Sequence, residues 1–166
     1  DEDAKNHPAR YALVELMNIH DEALEFEPIQ RVVFEIDPKA LMDAFTDYYP
    51  DAAYEDNGGQ KIRFVYGDKE GCIYVQNAPS NLSVGTLQKF LDYYLEKYGG
   101  RIDYIHGDDV VRSLAQSENT IGFMVDKMKK NDLFTTVIKD GALPRKTFSM
   151  GNAQDKRFYL ECRKIK

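Results

Sequence analysis

Apolar positions along this chain change their period several times, and each change marks an element. Residues 10–19, RYALVELMNI, are dense in apolar side chains with partial alternation, which predicts a largely buried strand. His20 and Asp21 break that pattern into a loop, and Pro28 keeps any helix from spreading through the next stretch. Residues 30–36, QRVVFEI, predict a second strand with Val32, Val33, Phe34 and Ile36 as core candidates. Asp37 then offers an N-cap and Pro38 suits the first helical position. The helix PKALMDAFTDYY follows, with Leu41, Ala44, Phe45 and Tyr48 on one stripe.

After the NGG turn at residues 57–59, two alternating runs, QKIRFVYG and GCIYVQNA, are split by DKE, which predicts a hairpin. VGTLQKFLDYYLEKYGG is the clearest helix. Leu87, Phe90, Leu91, Tyr94, Leu95 and Tyr98 keep three-and-four spacing, and Gly99 or Gly100 stops it. RIDYIHG reads as a short strand, DDVVRSLAQ as a short helix capped by Asp108, and NTIGFMV as another strand. NDLFTTVIKDG reads as a helix ended by Gly141, and KRFYLECRKI as the last strand. Strands crowd the first half and alternate with helices in the second. The predicted fold is a single α+β domain over residues 1–166, with a mixed, largely antiparallel sheet packed by about four helices.

Composition narrows the class. At 166 residues, with 43% hydrophobic and 30% charged content, the chain can bury one core and is not a disordered segment. No apolar run approaches the roughly 18 residues that span a bilayer, and no leader pattern is present, so a cytoplasmic protein is expected. The opening DEDAKNHPAR is a charged ramp starting at Asp1, which suggests a piece of a longer protein. Cys72 and Cys162 have neither a CxxC partner nor a companion His spacing; the expectation is free thiols and no metal site.

A net charge of −6 argues against nucleic acid as a partner. The charge is nevertheless segregated. Residues 139–166 hold eight Lys or Arg against three Asp or Glu, leaving fourteen basic and twenty-five acidic groups elsewhere.

That basic end carries the first candidate chemistry. Lys146, Thr147 and Ser149 follow Pro144 and Arg145 between a helix end and a strand, where an ammonium and two hydroxyls can meet a phosphate or carboxylate. The glycines of a Walker loop are missing, and a solvated loop is the competing reading. Gln30 and Arg31 open a predicted strand with side chains on opposite faces. Arg31 can bind an anion bidentately, or pair with one of the many carboxylates. We expect both segments to meet in space as one anion site. Among the histidines, His7 lies in the charged ramp and His20 sits beside Asp21. His106 ends a strand just before Asp108, a pair suited to proton transfer or simply to capping.

Two blocks carry a family resemblance: HPARYALVELMNIHDEALEFEPIQRVVF and TIGFMVDKMKKNDLFTTVIKDGALPRKTFSMGNAQDKRFYLE. Together they resemble the C-terminal half of the bacterial domain-of-unknown-function 1015 family, whose blocks read L-x-I-x-P-x-H-R and P-P-K-S-T-x-F. The matching residues are Leu24, Phe26, Pro28, Gln30 and Arg31, then Pro144, Arg145, Lys146, Thr147 and Phe148. Gln30 stands where the pattern has His, and the second block lacks its full Pro-Lys-Ser-Thr order. Full-length members resemble the ParB and sulfiredoxin superfamily in their N-terminal half, through a motif like D-G-H-H-R that this chain lacks.

The resemblance implies a fragment that completes an anion, phosphate or nucleotide-handling site with its missing N-terminal half. A nucleotide would then belong to the full-length protein, as would any phosphotransferase-like activity, while the isolated chain is inactive. The alternative is a non-catalytic binding or dimerisation scaffold. The expected partners are that N-terminal half and a second copy of the chain.

Overall fold

Phe26–Phe34 forms strand β1, the axis of the fold. The computed structural model describes residues 16–151, together with His7, Arg10 and Val14. Six further strands follow: β2 (Ala52–Ala53), β3 (Gln60–Tyr66), β4 (Lys69–Val75), β5 (Arg101–His106), β6 (Thr120–Met124) and β7 (Phe148–Met150). The sheet runs β2-β4-β3-β6-β1-β5, with β7 paired to β1 off that path. Every pairing among the described residues is antiparallel. Among the described residues there are four helices: α1 (Pro38–Tyr48), α2 (Ser83–Tyr98), α3 (Asp108–Leu114) and α4 (Asp132–Asp140). This is an α+β fold. No helix among the described residues is long and apolar enough to cross a membrane.

Period-two alternation in β1 sends Val33 to one face and Val32 to the other. Val33, Ile62, Ile73, Ile121 and Phe123 share the main core with Leu41 and Phe45 of α1 and Leu87, Phe90 and Leu91 of α2. Val32, Val65 and Met124 meet Val111 of α3 on the opposite face. Gly122 of β6 allows that approach, because a Cβ there would come within 2.3 Å of Val111 Cγ1. A third, small cluster of Leu24, Phe26 and Met128 lies at the β7 end of β1.

Helix α1 begins as its sequence predicts, with the Asp37 carboxylate accepting the N–H groups of Lys39 at 2.8 Å and Ala40 at 3.3 Å. Three expectations change. The described part of residues 10–19 holds no strand: Arg10 N donates to His7 O in a short turn, and Leu16 and Met17 are exposed. Among the described residues no strand lies paired with them.

Strand β1 starts four residues earlier than QRVVFEI and runs through Pro28. At Pro28 only β7 is alongside, since pairing with β5 begins at Ile29, so the missing N–H leaves no ladder bond unmade. Asp108 is the first residue of α3 rather than its cap. The cap position is Gly107, and the carboxylate turns to β1 and β3 instead. The strand predicted in KRFYLECRKI, with Cys162, lies outside the described residues; Cys72 is a half-buried free thiol.

Candidate functional site

Arg31 leads the fully buried side chains in volume. It leaves β1 on the α2 face, where its Nε donates to Gln88 Oε1 at 3.2 Å and its Nη1 to the Ile29 carbonyl. Nη2 donates to the Arg145 carbonyl at 3.1 Å. No carboxylate pairs with it directly among the described residues. The nearest relay to a negative charge runs through Gln88, whose Nε2 donates to Asp92 Oδ1 at 2.8 Å. Burial pulls the Arg31 pKa down to about 10, so the guanidinium still carries its charge at neutral pH. It also lies 5.2 Å from the centroid of the Tyr104 ring, and the Arg145 guanidinium lies 5.5 Å from the same ring. The Tyr104 hydroxyl is buried without a hydrogen-bond partner among the described residues.

The bond to the Arg145 carbonyl fastens the segment after α4 across the sheet. Thr147 Oγ1 donates to the Pro144 carbonyl at 2.6 Å and is buried, closing the turn in which Lys146 takes a left-handed φ of 56°. Lys146 itself is exposed. Strand β7 then pairs Phe148 with Pro28 and Ser149 with Glu27, and the Phe26 and Phe148 rings stack at 4.2 Å. The Ser149 hydroxyl donates toward the Gly151 carbonyl at 3.5 Å. The two sequence blocks therefore meet: Arg31 lies beneath the loop, and Lys146 stands on its surface.

Beside this loop a cleft of about 460 Å3 opens against the first turns of α2. Gln88, Lys89, Asp92 and Arg145 line one part of it, and Ser80 and Asp140 another. The Ser80 turn already receives an anion. The Asp140 carboxylate accepts from Ser80 Oγ at 2.7 Å and from the Asn81 N–H at 2.6 Å. Local desolvation pushes the Asp140 carboxyl up, but these two bonds, with the Lys89 and Lys139 ammonium groups nearby, outweigh it and hold the pKa below the usual carboxylate range. Gly85 makes the turn possible, since a Cβ there would lie 2.1 Å from Ser80 Oγ.

Gln30 goes to the other face of the sheet. Its Nε2 donates to Asp108 Oδ1 at 2.9 Å, and its Oε1 accepts from the Val125 N–H at 2.8 Å. Arg63 Nη1 meets the second Asp108 oxygen at 2.8 Å. This cluster ties β1, β3, α3 and the end of β6 together. His106 stands exposed at the end of β5, and no hydrogen bond among the described residues joins it to Asp108.

Of the residues singled out in the sequence, Arg31, Lys146, Thr147 and Ser149 gather around the 144–150 segment. Gln30, Asp108 and His106 belong to the opposite face or the sheet edge. Sequence reasoning missed Ser80, Gln88, Lys89 and Asp140, and left Arg145 outside the site. Gln88 and Lys89 fall between the apolar positions of α2, where helical spacing reads them as surface. Among the described residues no group of three His, Cys, Asp or Glu side chains is placed to hold a metal.

A family model described as a protein of unknown function (DUF1015) matches residues 1–94. Two solved structures share the fold. One is SbnI with a C-terminal truncation, from Staphylococcus aureus, with a TM-score of 0.57 and 12% identity over 82% of this chain and 54% of that one. The other is a mutant of a free serine kinase in complex with AMP, with a TM-score of 0.60 and 16% identity over 82% of this chain and 58% of that one. The chain thus spans little more than half the length of either. No curated protein matches it.

Proposed function

Since the chain belongs to the DUF1015 family, for which no function is described, we propose from its geometry that it supplies the anion-binding wall of a phosphate- or nucleotide-handling site in a longer protein. The observation that carries this reading is the burial of the Arg31 guanidinium beside the cleft. A fully buried guanidinium held by two carbonyls and an amide, with no carboxylate in contact among the described residues and Asp92 reached only through Gln88, has its positive charge only partly compensated in a low-dielectric setting. That field reaches the adjoining cleft, where Arg145 and Lys89 add two exposed cations. An anion bound there offsets all three.

Roles follow from position. Arg31 positions the loop through the Arg145 carbonyl and contributes field rather than contact. Arg145 and Lys89 reach the ligand, and Lys146 stands at the rim. Thr147 anchors the turn by its bond to Pro144. Asp92 and Asp140 on the cleft wall disfavour a ligand of high negative charge, and their hydrogen-bond capacity suits one that also carries a donor, such as an amine or a ribose hydroxyl. The fold shared with a kinase in complex with AMP supports a phosphate-bearing ligand. His106 and Asp108 take no part in this wall.

The test is a calorimetric titration of inorganic phosphate and of AMP into the protein. We expect Arg145→Ala and Lys89→Ala each to weaken binding about tenfold, which corresponds to 1.4 kcal/mol, and His106→Ala to leave it unchanged. Binding that is absent, or unaltered in both cation variants, overturns the proposal.

A further inference from the structure

The Ser80–Asn81 turn is built to receive an anion, and the anion in it belongs to the chain itself. Ser80 Oγ and the Asn81 N–H both donate to one oxygen, Oδ2 of Asp140, at 2.7 Å and 2.6 Å. Two ammonium groups flank them. Lys89 Nζ donates to the Pro79 carbonyl at 3.0 Å, and Lys139 Nζ to Asn81 Oδ1 at 3.4 Å. A hydroxyl and a backbone amide on one oxygen, with two cations beside it, form a donor set that suits a phosphate.

The donors are fixed, whereas their occupant is not. Ser80 is buried, and its carbonyl accepts from Gln60 Nε2 at 2.6 Å, which pins the turn to β3. Asp140 is exposed and comes from the C-terminal end of α4, 60 residues away. A carboxylate there opposes the helix dipole, and rotation of its side chain carries it into water without opening the core. Its departure alone leaves a buried hydroxyl without a partner, a cost that an exchange of one anion for another avoids. The charges favour such an exchange. One carboxylate offsets one of the two ammonium groups, whereas a phosphate dianion offsets both. Ser80 and Asp140 also line two clefts, the one of about 460 Å3 described above and one of about 490 Å3 that takes in Gly58, Gly59 and Gln76. The Asp140 carboxylate is thus part of the wall that the two clefts share.

We propose that the Ser80–Asn81 turn is a binding site for the phosphate group of a ligand, which the chain keeps closed with its own Asp140 carboxylate until that phosphate displaces it. Asp140 where it stands repels such a ligand; turned to water, it admits one. The inference rests on the anion reading for the class of ligand and adds a second anchor in another part of the same cleft.

The test is a calorimetric titration of inorganic phosphate into the 166-residue chain. Asp140→Asn keeps the shape of the side chain and an oxygen acceptor but removes the competing charge. We expect it to bind phosphate at least fivefold more tightly than the unaltered chain, and Ser80→Ala in the same background to abolish that gain. An affinity unchanged or weakened by Asp140→Asn overturns the inference. A gain that survives Ser80→Ala overturns it too, because the lost charge then acts only at a distance. NMR on the unaltered chain supplies a readout that needs no variant. The Asn81 amide and Asp140 carboxyl resonances should shift together as phosphate is added, and resonances still fixed at saturation overturn the inference. Further variants separate this site from the Arg145 wall. Phosphate affinity that depends on Ser80 but on neither Arg145 nor Lys89 keeps the gate and removes the wall. Affinity that depends on Arg145 and Lys89 but not on Ser80 keeps the wall and removes the gate. Binding absent from every variant overturns both.

Discussion

Arg31 shows how one side chain can be structural and electrostatic at once. Its three hydrogen bonds reach β1, α2 and the 144–147 turn, so its loss leaves the Ile29 and Arg145 carbonyls without a donor. Leaving a buried polar group unsatisfied costs about 1–3 kcal/mol, so Arg31→Met should destabilise the fold by at least about 2 kcal/mol in urea unfolding. Arg31→Lys should not rescue it, because an ammonium cannot match the planar fork that reaches three acceptors. Stability unchanged in Arg31→Met shows that the turn holds without the clamp.

Asp140 makes a second, pH-dependent case. Its folded pKa lies below the unfolded value of about 3.9, so its contribution is present above that value and is lost as pH falls through the folded pKa. Asp140→Asn should therefore lower the melting temperature at pH 7 and narrow the gap from wild type at pH 3. A gap that stays constant between the two pH values places the stabilisation in hydrogen bonding alone.

The helices differ in how firmly their surroundings hold them. Leu91 of α2 is wholly buried in the main core, so Leu91→Ala should cost roughly 2–5 kcal/mol by chemical denaturation; a loss below about 0.5 kcal/mol means that the stripe packs elsewhere. Helix α2 was legible because its apolar positions recur at helical spacing over its whole length and Gly99 stops it. Helix α1 was legible from Asp37 and Pro38. Residues 10–19 carried just as much apolar character, yet without a strand to pair with they form none in their described part. Alternation states which side chains prefer burial; it cannot supply a neighbour. Helix α4 was legible too, ended by Gly141 as its sequence predicts, although an apolar stripe on a short helix does not say which side faces inward. At the site, Lys146 and Thr147 drew notice as residue types, whereas Arg31 was read as a bidentate anion ligand or as the partner of a carboxylate; an arginine buried whole is rare. The partner that buries it, the Arg145 carbonyl, is 114 residues away and invisible to any local pattern.

At the scale of the whole molecule, the sheet separates two polar constellations. The Arg31 wall with its cleft lies on the α2 face, and the Gln30–Asp108–Arg63 cluster lies on the α3 face. Catalysis of phosphoryl transfer depends on electrostatic stabilisation of the transferring group together with a positioned base, all within hydrogen-bond reach and shielded from water. On the proposed reading, the described part of this chain supplies the cationic side of such a site; Asp108 lies on the other face of the sheet, and His106, opposite Ile29 at the β5 edge, has no side-chain hydrogen bond among the described residues to orient it as a base. Among the described residues the cleft is walled by α2, the Ser80 turn, Thr136 of α4 and the 140–145 segment. Binding and turnover should thus separate. The 166-residue chain alone should bind phosphate yet release no more inorganic phosphate or ADP from ATP than a buffer blank in a coupled assay. Turnover above the blank that Arg145→Ala abolishes would mean that one face of this sheet is a complete catalytic site.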